Sequence, residues 1–562
     1  MNTLRANLVD VLAKKSGYAE LCVRDGRVDA IEWLGNVRDS EPWLLPGLVD
    51  AHVHIESSML VPDEFARAAL CHGVVASVSD PHEIANVLGL EGVRYMIARA
   101  ALTPFHVAFG APSCVPATPF ESAGATLSLE DIEVLLQAGD VTYLSEMMNY
   151  PGVLNEFPEV MAKLALARKY QVPVDGHAPG LIGADAARYA SAGISTDHEC
   201  TTLQEAEDKI AAGMKILIRE GSAAKDFSAL QALLTRHPDQ VMLCSDDKHP
   251  DDLLQGHIDD LVRRALQLGH DLYDVLRAAT VNPVQHYWLP VGLLQPGDAF
   301  DAILVDHPRS FQVQRVWLHG ELVVENGQCL LARRPVALLN CFHAMLVAPE
   351  DLELTHPGSR CRVIEARDGQ LWTRQLWADM PERGGLVQAD LDNDILFLVV
   401  MNRYQPAQPA VALIKGFGLR GADNKGGAIA SSVGHDSHNI VAVGTSPAWV
   451  SRAINLLVAS KGGLAAVDAS GQVTMELPVA GLMSDRPAEE VGPAYAAMNQ
   501  KAHVMGSQLS APFMTLSFMA LLVIPELKLS DQGLFDGNQF TFVELADVAT
   551  ESANQTVNEP HE

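Results

Sequence analysis

The chain has 562 residues, of which 48% are hydrophobic and 20% charged, the balance of a folded protein rather than a disordered one. Its formal charge of −30 argues against nucleic acid and anionic membrane surfaces as partners, because both would be repelled by the field of the whole protein. The length excludes a single ordinary domain and leaves room for a barrel of about 250 residues beside smaller units.

Taken in chain order, residues 19–34 (AELCVRDGRVDAIEWL) read as a hairpin turning at Asp25-Gly26. From Gly47 to Asp247 one pattern then repeats eight times, a short β-rich apolar run followed by an alanine- and leucine-rich helical stretch. The runs are GLVDAHVH (47–54), GVVASVSD (73–80), PFHVAFGAPS (104–113), VTYLSE (141–146), VPVDGH (172–177), ISTDHE (194–199), MKILIRE (214–220) and VMLCSDD (241–247). IEVLLQAG, VMAKLALARKY and LQALLTRH between them suit crossover helices. Eight such units predict an α/β fold built on a (β/α)8 TIM-type barrel, with its chemistry at the C-terminal strand ends. Every run ends in Asp, Glu, His or Ser, where a barrel enzyme needs its reactive groups.

DAILVD (301–306) and VQRVWLHGELVVENG (313–327) add strands after the barrel, and the composition resets near Asn340, with Pro357-Gly358 as a linker. The expected organisation is a small flanking β-domain from 1–45 and 298–335, the barrel over 46–297, a C-terminal α/β domain over 340–550 and a disordered tail over 551–562. Cys22, Cys71, Cys114, Cys200, Cys244, Cys329, Cys341 and Cys361 form no Cys-x-x-Cys pair, so neither a zinc ribbon nor a disulfide framework is expected. No signal core is evident, and the apolar stretch near Ala511 to Pro525 is too short and interrupted to span a bilayer. The reading is a cytoplasmic protein without membrane or nucleic-acid partners.

His52 and His54, two apart on a strand, turn both imidazoles to one face and can grip one ion. Alone this pair is weak evidence. Its value comes from Glu146, His177, His198 and Asp246, which the fourth, fifth, sixth and eighth runs supply at equivalent depths. Neutral imidazoles with a carboxylate between them suit zinc, iron or manganese, and two ions fit better than one. The competing reading, barrel-rim histidines with ordinary hydrogen bonds, has to hold for all six positions at once. Asp247 adjoins Asp246 and is the alternative ligand, since period-two alternation lets only one of them face the axis.

These residues lie in PGLVDAHVHIESSM (46–59), SDPHEIANVLG (79–89), LSEMMNYPGV (144–153), DGHAPGL (175–181), TDHECT (196–201) and CSDDKHPDDL (244–253). With SSVGHDSHNIVAVG (431–444), PVAGLMS (478–484) and QGLFDG (532–537), the whole chain resembles the bacterial adenine deaminase branch of the amidohydrolase superfamily. The resemblance implies purine salvage chemistry, the hydrolytic deamination of adenine to hypoxanthine and ammonia by a metal-bridged hydroxide. It implies two divalent ions, manganese or iron before zinc, on His52, His54, Glu146, His177, His198 and Asp246. Many relatives in the superfamily use a carbamylated lysine as the bridge, whereas the fourth run here ends in Glu146, as in the adenine deaminase branch. A homo-oligomer is expected. The 45 residues before the barrel are shorter than the family's usual N-terminal region and predict an incomplete β-domain.

In that mechanism Asp246 is ligand and proton shuttle. Asp80 is an orienter or further acid/base, or else a turn residue capping the next helix. Glu121 is assigned to protonate a ring nitrogen, against the alternative of a solvated loop residue. His82 and Glu83 are read as helix-start residues rather than ligands, and Glu56 as support behind the metal residues. Arg219, Glu220 and Ser222 are offered for contact with the base, with helix capping as the plainer role of Ser222. His435 and His438 in HDSHN, three apart, are assigned to hydrogen bonding and not to a second metal site, and closure of the C-terminal domain over the barrel mouth stays open. The rival activities are another amidohydrolase reaction, such as cyclic amide hydrolysis, and a silent metal- or purine-binding protein.

Overall fold

The computed structural model describes residues 2–546, so the expected tail over 551–562 and the last residues of the 340–550 unit lie outside the described residues. β1 (Asn2–Asp10), β2 (Lys15–Arg24) and β3 (Arg27–Gly35) form an antiparallel meander, and β4 (Trp43–Pro46) runs parallel beside β1. The expected hairpin turn is present. Asp25 and Gly26 both take positive φ, 51° and 76°, the tight-turn geometry that matches the twist of the flanking strands.

The eight runs become eight strands in the expected order: β5 (Leu48–Val53), β6 (Val74–Ser79), β7 (His106–Ala111), β8 (Tyr143–Met147), β9 (Val174–Gly176), β10 (Thr196–Asp197), β11 (Lys215–Arg219) and β12 (Val241–Cys244). β5 to β9 pair in parallel, as do β10 to β12. Two backbone hydrogen bonds join these arcs into a ring. Ser195 N donates to Val174 O at 2.9 Å, and Asp246 N donates to His52 O at 3.0 Å. β5 and β6 are buried along their whole length, as expected of parallel strands covered by helices. Helices Leu129–Ala138 and Pro158–Tyr170 are two of the crossovers, the first opened by a capping box between Ser128 and Asp131. The third expected crossover splits into two short helices, Phe227–Leu230 and Leu233–Arg236.

After the barrel come β13 (Ala302–Val305), β14 (Val313–Leu318), β15 (Glu321–Glu325) and β16 (Gln328–Cys329). β13 pairs antiparallel with β4, giving one eight-stranded sheet in the order β16-β15-β14-β13-β4-β1-β2-β3. The short N-terminal segment predicts an incomplete β-region; instead the post-barrel strands supply half of a continuous sheet.

A second large sheet follows. Its strands are β17 (Cys361–Glu365) and β18 (Arg374–Ala378), then, after a small ribbon of β19 (Glu382–Arg383) and β20 (Leu386–Val387), β21 (Ile395–Met401), β22 (Ala410–Lys415), β23 (Gly427–Ser431), β24 (Ile440–Gly444), β25 (Gly463–Asp468) and β26 (Gly471–Glu476). The order is β18-β17-β22-β21-β24-β23-β25-β26. One face packs beneath helix Pro447–Ser460 through Val450, Ile454 and Leu457. Leu398, Val400, Ile429 and Val443 on the other face belong to the same apolar core as the barrel. A shared core fixes this sheet against the barrel, and so fixes the loop between β23 and β24 at the barrel mouth.

A buried ion cluster supports β10. Lys209 Nζ donates to Ala178 O at 2.7 Å and to Glu205 at 2.9 Å, and lies 3.0 Å from Asp197. All three side chains are buried. Burial opposes charge on Asp197, but Lys209 and His198 hold its carboxyl below the usual range. Lys209→Met would strand that carboxylate, and a loss of about 3–5 kcal/mol is expected. Calorimetry should show the step that melts the barrel at clearly lower temperature; an unchanged melting profile would show that the cluster contributes nothing net.

Candidate metal centre

Barrel strand ends point their last side chains into one mouth, and here those side chains are histidines and carboxylates. His52 and His54, on either side of the end of β5, bring their Nε2 atoms within 3.2 Å of each other. His54 Nδ1 donates to Asp80 O at 3.1 Å. Because a carbonyl can only accept, this contact keeps a proton on Nδ1, so that in the neutral ring Nε2 is the nitrogen free to bind an ion. Asp246 Oδ1 lies 3.3 Å from His54 Nε2 and 3.6 Å from His52 Nε2.

Glu146 is the hub. Its Oε2 is 2.7 Å from His177 Nδ1 and 3.1 Å from His198 Nε2, while Oε1 is 3.4 Å from His54 Nε2. One carboxylate oxygen therefore faces each histidine pair, as a bridge between two cations requires. His52, His54 and Asp246 form one group whose donor atoms all lie within 4.8 Å of one another; His52, Glu146 and His198 form a second, and His177, His198 and Glu199 a third.

Charge balance supports a cation at this place. Glu83, Glu146, Glu199, Asp246, Asp247 and Asp436 line the same small cavity of about 40 Å³, and Arg219 is the one lysine or arginine among its lining residues. Burial opposes charge on Glu146 and Asp246, yet the imidazoles, and for Asp246 also Arg219, hold both carboxyls well below their usual range. Burial and the neighbouring imidazoles of His198 and His54 push His52 well below its ordinary value, so it stays neutral. His54, His177 and His198 are instead pushed above their ordinary value by the carboxylates around them, and a divalent ion would take the place of those protons.

All six expected ligands meet here. Asp246 and Asp247 both line the cavity, which corrects the period-two argument. β12 has ended at Cys244, and Asp246 takes a positive φ of 55°, so strand alternation no longer applies to the pair. Asp246 meets the histidines; Asp247 accepts from Ser57 Oγ at 2.5 Å.

Other expectations need revision. Asp80 sits at the start of helix His82–Ala100, its Oδ1 accepting from His82 N at 3.1 Å and its Oδ2 3.1 Å from His82 Nδ1. It is absent from the cavity lining, yet it orients His54 and His82, as one of its expected roles had it. Its carboxylate groups with His54, His82 and Glu146, donor atoms within 4.8 Å of one another. Glu121 does not line the cavity either. It is buried, accepts from Thr118 Oγ1 at 3.1 Å, and is pushed up to about 8 by burial, with the Asp436 charge adding to the effect. Its loop is pinned by the C-terminal unit, where Asn439 Nδ2 donates to Ser122 O at 2.8 Å, so it is not the solvated loop residue of the alternative reading. Glu220 pairs with Arg264, and Ser222 Oγ donates to Asp252 at 2.6 Å; neither lines the cavity.

Arg219 does line it, held between Glu199, Asp226 at 2.8 Å and Asp246 at 3.0 Å. Its grip on Asp246 Oδ2 leaves Oδ1 for the histidines. Arg219→Met is expected to lower metal affinity and kcat about 10–100-fold, the usual effect of removing a group that orients a ligand. Equilibrium dialysis of the ion together with steady-state rates checks this, and an unaltered affinity would contradict it.

His82 and Glu83 do more than begin a helix. His82 Nδ1 lies 3.5 Å from Glu146 Oε1, and Glu83 bonds His435 and His438 of the C-terminal loop. Glu56, pushed up to about 7 by burial, accepts from Ile84 N at 3.1 Å and so holds the same helix start. The far wall is apolar, formed by Leu371, Phe518, Leu521, Val523 and Ile524 of the C-terminal unit. The C-terminal unit therefore closes over the barrel mouth within its own chain.

Residues 43–323 match the amidohydrolase family, and residues 370–541 match the adenine deaminase C-terminal domain. The chain is 53% identical over 544 residues to a protein of Salinibacter ruber named adenine deaminase, covering 96% of this chain and 98% of that one. It is 49% identical over 552 residues to a protein of Methanosarcina mazei with the same name, covering 96% and 98%. A Sulfurovum protein of that name is 49% identical, covering 96% of this chain and 99% of its own. Among the described residues no helix is long and apolar enough to cross a membrane. Similarity of this extent through both the barrel and the closing unit makes the chain a member of the adenine deaminase family of amidohydrolases.

Proposed function

We propose that the protein hydrolyses adenine to hypoxanthine and ammonia at this centre, with two divalent ions per chain, manganese or iron in preference to zinc. The observation that carries this reading is Glu146 facing His54 with one oxygen and His177 and His198 with the other. His52, His54 and Asp246 would hold one ion, His177 and His198 the other, and Glu146 would lie between them. Divalent ions bound there supply acidified water at neutral pH and positive charge beside the attacked carbon.

The chain's own groups do the rest. Asp246, fixed by Arg219 through Oδ2, takes the proton of the attacking water on Oδ1 and passes it to the departing amine. Asp80, through its carbonyl, keeps the His54 tautomer that leaves Nε2 free. The apolar wall of Phe518, Leu521 and Val523 packs on the ring face and keeps bulk water from the reacting carbon.

Purified protein supplied with manganese or iron should release ammonia and hypoxanthine from adenine. No turnover of adenine alongside rapid opening of a dihydropyrimidine would replace this reading by cyclic amide hydrolysis.

A further inference from the structure

The HDSHN loop carries a residue, Asp436, that the two ion positions proposed above do not use, although its carboxylate groups with His82 and Glu83, donor atoms within 4.8 Å of one another. The loop lies between β23 and β24, some 350 residues from Glu83 in the chain, yet it is anchored to that residue at the start of helix His82–Ala100. His435 Nδ1 meets one oxygen of Glu83, and His438 Nε2 meets the other at 2.5 Å. His435 also stacks on Phe518, with ring centroids 4.5 Å apart and planes 13° from parallel. His438 takes a positive φ of 54° and accepts from Gly434 N through Nδ1 at 3.2 Å, which leaves the proton on Nε2 for Glu83. Both anchors flank Asp436 and leave its carboxylate little freedom.

Asp436 lines the cavity beside Phe518 and Leu521. Its Oδ1 lies 4.0 Å from His82 Nε2, and its Oδ2 is buried without a hydrogen-bond partner. A buried carboxylate oxygen lacking a donor is costly, and such a cost persists where a ligand brings the missing N–H. The His82 ring lies between Asp436 and Glu146, its Nε2 4.0 Å from Asp436 Oδ1 and its Nδ1 3.5 Å from Glu146 Oε1, so Asp436 borders the cavity on the far side of His82 from the metal centre's hub. Free adenine carries its reacting carbon on the six-membered ring and an N–H on the five-membered ring. Adenosine carries a glycosidic carbon where that N–H would be.

Taking adenine as the substrate proposed above, we infer that Asp436 is a specificity-determining residue that accepts the N–H of the five-membered ring and so selects the free base over N-substituted purines. An analogue without the N–H leaves the carboxylate desolvated and unpaired, which is how polar sites reject near-isosteres.

The test compares adenine, 7-methyladenine and 9-methyladenine on metal-loaded enzyme, wild type against Asp436→Ala and Asp436→Asn, with metal content measured for each. Wild type should turn over both methylated bases far more slowly than adenine. Asp436→Ala should lower kcat/KM for adenine about 10²-fold, chiefly through KM, the worth of a hydrogen bond to a charged group. It should cost the methylated bases nothing further. Asn, whose carbonyl still accepts, should recover part of the loss.

Equal losses for all three bases in the alanine variant, or methylated bases handled by wild type as well as adenine, would overturn the assignment. So would loss of an ion from Asp436→Ala, which would make Asp436 a ligand. If the alanine variant does not fold, the wild-type discrimination and the asparagine variant still decide. Wild type that releases no ammonia from adenine fails the functional reading itself, a result separate from an insensitive Asp436.

Discussion

Glu146→Ala should leave fewer than two ions per chain and lower kcat by at least about 10³-fold, since a bound ion supplies several kcal/mol of charge stabilisation and each 1.36 kcal/mol is tenfold in rate. Glu146 sets one oxygen toward His54 and the other toward His177 and His198. Without that carboxylate, the buried imidazoles of His54, His177 and His198 would surround whatever positive charge the site held. Glu146→Asp keeps the charge but shortens the reach and should fall between wild type and alanine. Metal analysis with ammonia release under saturating adenine checks both variants. Full metal content with kcat within tenfold of wild type in Glu146→Ala would remove Glu146 from its central place.

Asp246→Asn should lower kcat about 10²–10⁴-fold, the range of a general acid–base group, while KM changes little. Asparagine keeps an acceptor oxygen toward His54 and loses the ability to take and return a proton. The expected signature is an enzyme that retains its metal yet turns over slowly, which separates proton transfer from metal binding. Asp247→Asn is the useful comparison. Its carboxylate is turned to Ser57, so its loss should leave metal content intact. A kcat for Asp246→Asn within threefold of wild type would move proton transfer to another group, with Glu199 at the cavity wall the next to examine.

The barrel was legible in the sequence because its signals are local. Each strand lies in a short apolar run that closes on polar residues, and the six ligands lie at or beside those run ends from His52 to Asp246. Where the backbone leaves regular geometry the reasoning stops working. Asp246 and Asp247 lie past the end of β12, one of them left-handed, so alternation could not choose between them. Arg219 is visible as a strand-end residue, but its three acidic partners come from separate loops.

The upper half of the cavity was the least legible part. His435 and Asp436 reach Glu83 and His82 across some 350 residues of chain, and an irregular loop has no periodicity to announce its contacts. The apolar segment near residues 511–525 reads as a hydrophobic stretch too short for a bilayer, whereas in the fold Phe518, Leu521, Val523 and Ile524 form the cavity wall. Glu121 reads as a loop residue and is buried because that same C-terminal loop covers it. In each case the missing information was the shared core that seats the second sheet on the barrel.

Titration of metal-stripped protein with manganese or iron, followed by ammonia release from adenine, is the most direct measurement of the whole account. Activity should be absent at the start, rise with added ion and level off at two ions per chain. Full turnover of adenine by the stripped protein, or a fully loaded protein inert toward adenine, would contradict it.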